Sequence, residues 1–434
     1  MKRFVLFMLL FNMFAAGLTV AADDIEVWMI HHPNEAVMKA FDEVGVLFEQ
    51  QSGIKVNYVR IPTADFHTKL VTSIAAKQYP AMVIWNITAG LEFSESGIVH
   101  DVSALIDQIG RENFKEDLLK MFQIPAGKQW EIPFLTRLAG YHYRKDWLAE
   151  AGLNPEPVKD ADGNWIVEAY NTWDDVLETS KKLTGNGRYG AGFQLNRAGF
   201  GDSKDFAMTL IMTHGGHILD PETGEVAIDS PETVAALAFL KKMIDSGIMP
   251  EGVTTWDGYA NNLYFTNGTV GLIVNSNSII PGLKDTDDVK KDDIGIAPPP
   301  AGPAGRRYTA APETITLFET DTVEAAEKFA LFLMAKDTQI KLFETMGVGY
   351  YGPLTLDVIS DPAFDNIGEQ ERMFMEAGKY IVGNGWPGGP HPKLSQVVNS
   401  FVFDDALSRI GVDGWTPEET AKEMAEKIHE IMFE

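Results

Sequence analysis

The chain has 434 residues, with 62 acidic side chains against 36 basic ones, a formal charge of −26, and no cysteine. That balance leaves no basic footprint for nucleic acid or an anionic membrane. The missing cysteine removes disulfides, thiol catalysis, thiolate metal sites and lipid attachment through an N-terminal Cys.

The first residues read as an address. Lys2 and Arg3 precede an apolar run from Phe4 to Val20, and Ala21-Ala22 offers small residues before Asp23. This is the pattern of a secretory signal peptide over 1–22, whose removal deepens the charge to −28. No later hydrophobic run is long enough to span a membrane. A remainder of roughly 410 residues exceeds one simple core, so two lobes are expected.

Ile25 to Ile30 is an apolar strand ending at His31-His32. Val37, Phe41, Val44 and Phe48 then share a helical face that Gly53 closes. Ile54 to Val59 is a second strand, Phe66, Leu70 and Ile74 mark a second helix, and Ala81 to Trp85 is a third strand. Strand alternating with helix implies a parallel sheet, with ligands beyond the carboxyl ends of its strands. Ile132 to Tyr143 is apolar and aromatic enough for a strand, and Pro133 makes its start an edge or a joint. From Lys145 the period becomes helical until Gly152.

Asp162-Gly163 marks a hairpin between Val158 and Trp165. Asp160, Asp162 and Asn164 imitate the start of a calcium loop, but Trp165 replaces its glycine and no Glu closes it. Thr172 to Asp175 caps a helix reaching Leu183, and Tyr189 to Leu195 reads as a strand ending at Asn196-Arg197. Phe206 to Thr213 is a buried helix, Ser230-Pro231 starts another, and Val270 to Val274 is a strand ending at Asn275-Ser276-Asn277-Ser278. Ile294 to Tyr308, with three consecutive prolines, reads as a semi-rigid connector. Thr314 to Phe318 is a strand, and helices follow over Val323 to Met334 and Thr338 to Met346. The remainder is helical, broken by the Gly/Pro run around Trp386, and its last helix opens with the capping box Thr416-Pro417-Glu418-Glu419.

One passage carries a resemblance. Pro133, Tyr141-His142-Tyr143-Arg144-Lys145-Asp146 and Ala151-Gly152-Leu153 form the spacing at which large carbohydrate-type solute-binding proteins of ABC importers cross between lobes. T-W-D-D, H-G-G, S-P-E-T-V-A-A-L, F-T-N-G-T-V-G-L, P-P-P-A-G-P-A-G and T-P-E-E-T-A extend it, in order, through nearly the whole mature chain. The resemblance implies an α/β fold of two lobes, each a mostly parallel sheet flanked by helices, joined by three crossovers near Thr136, Pro300 and Gly352. Residues 23–134 and 304–352 would form the N-terminal lobe, and 135–303 and 353–434 the C-terminal one. It also implies capture of a mono- to oligosaccharide in the interlobe cleft and delivery to membrane permease subunits. No cofactor, nucleic acid or membrane insertion after signal cleavage is expected, and the protein would be a periplasmic monomer.

Sugars present flat C–H faces and a rim of hydroxyls, which aromatic rings and neutral or charged hydrogen-bonders match. The resemblance carries ligand contacts onto Trp85 and Thr88, onto Arg137 or Thr136, onto the loop with Asn275 and Asn277, and onto Trp386. His32 and Asn196 at strand ends, Trp256 in its loop, and Glu313 and Tyr351 beside the later joints complete the candidate set. Trp147, Trp165 and Trp173 are expected to be packing. Arg137, Ser278 and Ser400 depart from the maltodextrin-type pattern, which leaves the sugar open. Adjacent His31 and His32 point to opposite sides of an extended strand end, so one polar contact and one structural histidine is the better reading than a metal pair. Motifs for serine hydrolases, metalloproteases and P-loops are absent, and no carboxylate pair is singled out for glycoside hydrolysis. Two rivals remain: an exported hydrolase or lyase, and a binder of a sugar phosphate or sugar acid held by Arg137 and Arg197.

Overall fold

In a computed structural model the described residues are 24–32, 35–85, 89–124, 127–137, 139–199, 202–276, 279, 289–309, 312–347, 351–364, 367–388, 391 and 393–433. The expected signal peptide, Thr88, Asn277 and Ser278 lie outside them, as does the side chain of Arg137.

Strands β1 (Ile25–Ile30), β2 (Val56–Ile61) and β3 (Met82–Trp85) alternate with helices α1 (Glu35–Ser52) and α2 (Thr63–Ala75). β1 pairs in parallel with both β2 and β3, as the strand-helix alternation predicts. The expected stripe of α1 is buried at Val37, Phe41, Val44 and Phe48. Gly53 ends that helix at φ 74°, its N–H donating to Glu49 O at 2.8 Å, a left-handed stop that glycine adopts without strain. The short helix α3 (Ala89–Glu92) follows β3.

The expected single strand over Ile132 to Tyr143 is two: β4 (Ile132–Arg137) and β5 (Ala139–Arg144). They belong to different sheets, so the chain passes from one sheet to the other between Arg137 and Ala139. β5 lies between β6 (Leu272–Ser276) and β7 (Ile294–Ala297), and both pairings are antiparallel. β8 (Tyr308–Thr309) pairs with β11 (Ile381–Val382), while β9 (Pro312–Leu317) and β10 (Tyr351–Pro353) return to the first sheet. That sheet has the order β10-β4-β9-β3-β1-β2. β9 runs antiparallel to β3 and β4, and β10 antiparallel to β4. The first sheet is therefore mixed and the β5-β6-β7 sheet antiparallel; within them parallel pairing is confined to β1, β2 and β3, while the small β8–β11 pair is also parallel.

Pro133 stands at the start of β4, where β9 pairs with it and β10, which pairs with Leu135 to Arg137, does not, in keeping with an edge or joint. The register shifts between Glu313 and Thr314, with Glu313 opposite Leu135 and Thr314 opposite Pro133. The proline-rich connector is more ordered than expected. Residues 298–300 are buried, Trp173 N donates to Ala301 O at 3.1 Å, and Ala304 N donates to Thr213 O at 2.9 Å. Arg306 donates to Asn171 Oδ1 at 2.6 Å. The run is thus sewn into the second lobe, and the return to the first sheet falls after Thr309 rather than at 304.

Both capping boxes form: Asp175 N donates to Thr172 Oγ1 at 3.1 Å, and Glu419 N to Thr416 Oγ1 at 3.2 Å. Tyr189 to Leu195 is extended beside β6, joined at Tyr189 and Val270, without forming a continuous ladder. Asp162 N and Asn164 N both donate to Asp160 Oδ1 at 2.9 Å, closing the hairpin in place of a calcium loop. Trp147 and Trp173 are buried, and Trp173 Nε1 donates to Thr213 Oγ1 at 2.8 Å, as packing tryptophans.

Candidate functional site

The first sheet gathers candidate residues on one edge. The carboxyl ends of β1, β3 and β4 carry His32, Trp85 and Arg137. Because β9 and β10 run the other way, their starts bring Glu313 and Tyr351 to the same edge. The register fixes this: Tyr351 lies opposite Arg137, and Pro312 opposite Thr136. No sequence-local signal relates residues 32, 313 and 351; the topology does.

His32, Glu313 and Tyr351 line a narrow crevice with Met29, Phe41 and Leu135, with room inside for about one water. All three polar side chains are buried, and Tyr351 Oη donates to Glu313 Oε1 at 3.0 Å. The rings of His32 and Tyr351 lie 5.7 Å apart, tilted at 56°. His31 is exposed while His32 is buried, the opposite orientations expected of a strand end. Among the described residues no cluster of His, Asp and Glu could hold a metal ion. The crevice has a mainly apolar lining into which three polar side chains reach, and it is too small to hold a sugar by itself.

Trp85 differs from the expected open platform. Only 6 % of it is exposed, and Phe66 lies against it at 4.2 Å between ring centroids. The ring extends the apolar layer formed by Trp28, Phe66 and Leu91. Trp256 is buried too, stacked on Tyr264 at 4.6 Å and 7°. Asn196 donates to the carbonyls of Val253 at 3.2 Å and Trp256 at 3.1 Å, so its amide holds that loop in place. These three residues are used for packing or internal hydrogen bonds, because large rings and amides at strand ends satisfy the lobe before any ligand. Trp386 is half-buried, and the Arg307 guanidinium lies over its ring at 4.1 Å.

In the second lobe, β6 ends at Asn275-Ser276 opposite Gly140 and Ala139. That is where the chain has just arrived from β4, so this edge adjoins the passage from the first sheet. Asn275 is buried, and its amide donates to Asp202 Oδ2 at 3.4 Å and to Asn262 Oδ1. Asn261 donates to the same Asp202 oxygen at 2.7 Å and to Val274 O at 3.2 Å. Burial pushes the Asp202 carboxyl up to about 7, with the Asn261 hydrogen bond opposing the rise and Asp205 adding to it. Sequence reasoning found Asn275 and missed Asp202, Asn261 and Asn262. An Asp opening a helix looks like an ordinary cap, and nothing in the spacing pairs it with residues sixty to seventy positions later.

Arg197 is occupied. It grips Asp405 with two nitrogens, Nη2 to Oδ2 at 2.7 Å, and Lys427 reaches the same carboxylate at 2.9 Å. A ligand anion would compete with a charge pair already made.

The bacterial extracellular solute-binding protein family model matches residues 43–369. A chain of Brucella abortus (strain 2308) named as a binding protein is 25 % identical over 315 residues, 71 % of each chain. The solved cyclic α-maltosyl-1,6-maltose binding protein from Arthrobacter globiformis is 19 % identical with a TM-score of 0.76, over 94 % of this chain and 98 % of that one. Maltose-bound MalE3 of T. maritima is 23 % identical with a TM-score of 0.72, over 95 % and 100 %. At these identities the solved structures establish the two-lobed α/β fold of MalE-type binding proteins. With most of its length inside the family match, the chain belongs to the bacterial extracellular solute-binding proteins.

Proposed function

We propose that this protein is the periplasmic binding component of an ABC importer, capturing a carbohydrate between its lobes and delivering it to the membrane permease without chemical change. The observation that carries this reading is that a polar cluster stands on each side of the passage from β4 to β5, Tyr351 pairing with Arg137 before it and Asn275 with Gly140 after it. One holds His32, Glu313 and Tyr351, the other Asn275 with Asp202 and Asn261. Buried, internally hydrogen-bonded polar groups are rigid donors and acceptors, which suits the hydroxyl rim of a sugar. The chain passes between sheets between Arg137 and Ala139, between Thr309 and Pro312, and after Pro353, and these passages are the proposed hinges. Arg137, Thr88, Asn277 and Trp386 are proposed to contribute from the rim.

A binding role requires no nucleophile or acid–base pair. The sugar-binding names and bound sugars of the structural relatives support the carbohydrate class. Signal cleavage would release a soluble monomer. The engagement of Arg197 with Asp405 weighs against a sugar phosphate or sugar acid. The test is incubation with maltose, laminaribiose, tagatose and a panel of sugar acids, followed by thermal denaturation and recovery of the sugar. A raised melting temperature with intact sugar supports the reading. Turnover would replace it with an exported hydrolase or lyase, and salt-sensitive binding of the acids alone would replace the neutral sugar.

A further inference from the structure

The chain holds three Asn-Gly pairs, at Asn186, Asn267 and Asn384. Such a pair sets a side-chain amide carbon beside a backbone N–H that no Cβ of its own residue screens. The fold treats the three differently. Asn267 is pinned: its Oδ1 accepts from Thr269 N at 3.1 Å and from Thr269 Oγ1 at 2.6 Å, and Gly268 N donates to Phe265 O at 3.1 Å. Asn384 is half-buried and Gly385 is buried, in a turn where Trp386 N donates to Gly383 O at 2.9 Å.

Asn186 and Gly187 are both exposed. They are the middle residues of a tight turn, at φ 52° and 82°, the left-handed pair that Asn-Gly adopts readily. Gly185 N donates to Arg188 O at 3.0 Å and Arg188 N to Gly185 O at 2.9 Å, closing the turn from both sides. Among the described residues, neither the Asn186 amide nor Gly187 N enters a hydrogen bond. A Cβ built on Gly187 would meet nothing within 4 Å, so the reacting groups have open space around them.

We propose that Asn186 is a self-modification site, where the folded protein loses ammonia and gains an isoaspartate or an aspartate. Gly187 N gives its proton to hydroxide and attacks Asn186 Cγ. The new C–N bond forms, the Cγ–Nδ2 bond breaks, and the amide nitrogen leaves as ammonia, closing a five-membered imide. Water then opens the imide at either carbonyl. Opening at Cγ leaves an aspartate in a normal chain, whereas opening at the backbone carbonyl leaves isoaspartate, with the chain running through Cβ and Cγ. Overall, water enters and ammonia departs, with no oxidant, reductant or enzyme required.

The bonds exchanged by Gly185 and Arg188 suit a two-residue loop, and isoaspartate lengthens the backbone of that loop. The turn leads from the helix Trp173–Leu183 into the extended stretch that meets Val270 at Tyr189. Both products also set a new carboxylate close to Arg188. Its Nη1 donates to Glu150 Oε2 at 2.7 Å, and its guanidinium lies 4.6 Å from the centre of the Trp147 ring. The new charge competes with Glu150 for that guanidinium.

The test is incubation of the folded full chain at pH 8.5 and 37 °C, followed over days by tryptic digestion and mass spectrometry. Cleavage after Lys182 and Arg188 isolates Leu183 to Arg188, in which Asn186 is the only side-chain amide. In the fold, Asn186 should convert roughly fivefold or more faster than Asn267, the factor by which one committed hydrogen bond holds back a reacting N–H. Asn384 should lag as well. In urea, where the fold is gone, the three pairs should convert at closely similar rates. If Asn267 or Asn384 keeps pace with Asn186 in the folded chain, the site is overturned. The same holds if Leu183 to Arg188 stays unmodified there while the unfolded chain converts. A second arm separates the aged protein by anion exchange. The isoaspartate fraction should melt below Asn186→Asp, which carries the charge on a normal backbone, and equal melting temperatures overturn the effect on the turn.

Discussion

Replacing Asp202 with Asn tests whether the second lobe's polar network is built around a protonated acid. In the folded protein the carboxyl titrates near 7 against 3.8 in an ordinary context, chiefly because burial disfavours its charge. The folded state therefore holds a proton that the unfolded chain releases near pH 4. Its contribution is fully present below that value, falls as pH rises toward 7, and is constant above. A displacement of about three pH units corresponds to about 4 kcal/mol at most, from 1.36 kcal/mol per unit. Asn keeps the carbonyl that accepts from Asn261, at 2.7 Å in the parent, and removes the titration. Urea unfolding of both proteins at pH 4.5, 6 and 8 should show Asp202→Asn gaining on the wild type by a few kcal/mol across the series. Parallel curves, with a constant offset, would show that Asp202 is charged or solvated in the fold, and the argument from burial would be wrong.

Tyr351→Phe removes the donor to buried Glu313 and should cost about 1–3 kcal/mol of stability, measured by the same unfolding; a neutral effect would mean that water replaces the phenol. Trp85→Ala opens space against Phe66 in the first lobe's apolar layer and should cost about 3–5 kcal/mol, with any loss of sugar affinity following from that. A stable variant that has lost sugar binding would restore Trp85 as an open stacking platform. Adding a sugar that raises the melting temperature should reduce the radius of gyration in solution scattering without changing mass. Identical curves with and without that sugar would describe a rigid groove.

Much of the fold was legible because its signals are local. The α1 stripe with Gly53, the Thr172 and Thr416 caps and the Asp162-Gly163 hairpin each depend on neighbours within a turn, and each forms where its residues predict. What failed depends on partners far along the chain. The triple proline reads as a connector until Asn171 and Thr213 hold it. The site divides in the same way. His32, Glu313 and Tyr351 converge, although only strand direction in the finished sheet brings them together. Trp85, Trp256 and Asn196 are more buried or internally bonded than a loop-like context suggests, because exposure cannot be read from sequence. Asp202 was overlooked because a carboxylate in a sequence carries no mark of its surroundings.

The strand order of the first sheet also dictates a timetable. β9, from residues 312–317, sits between β3 and β4, which end by residue 137. Until that segment has been made, the first lobe has a half-sheet of β3, β1 and β2 and a lone β4, with exposed edges and no means of joining them. The sheet of β5, β6 and β7 is complete by residue 297. The lobe that begins second in the chain can therefore assemble its sheet first, while the one that begins first waits on a late insertion. Open edges of apolar strands invite pairing with other chains. A nascent chain halted near residue 300 should then be a stronger substrate for chaperones that shield strands than the finished protein or one halted near residue 360.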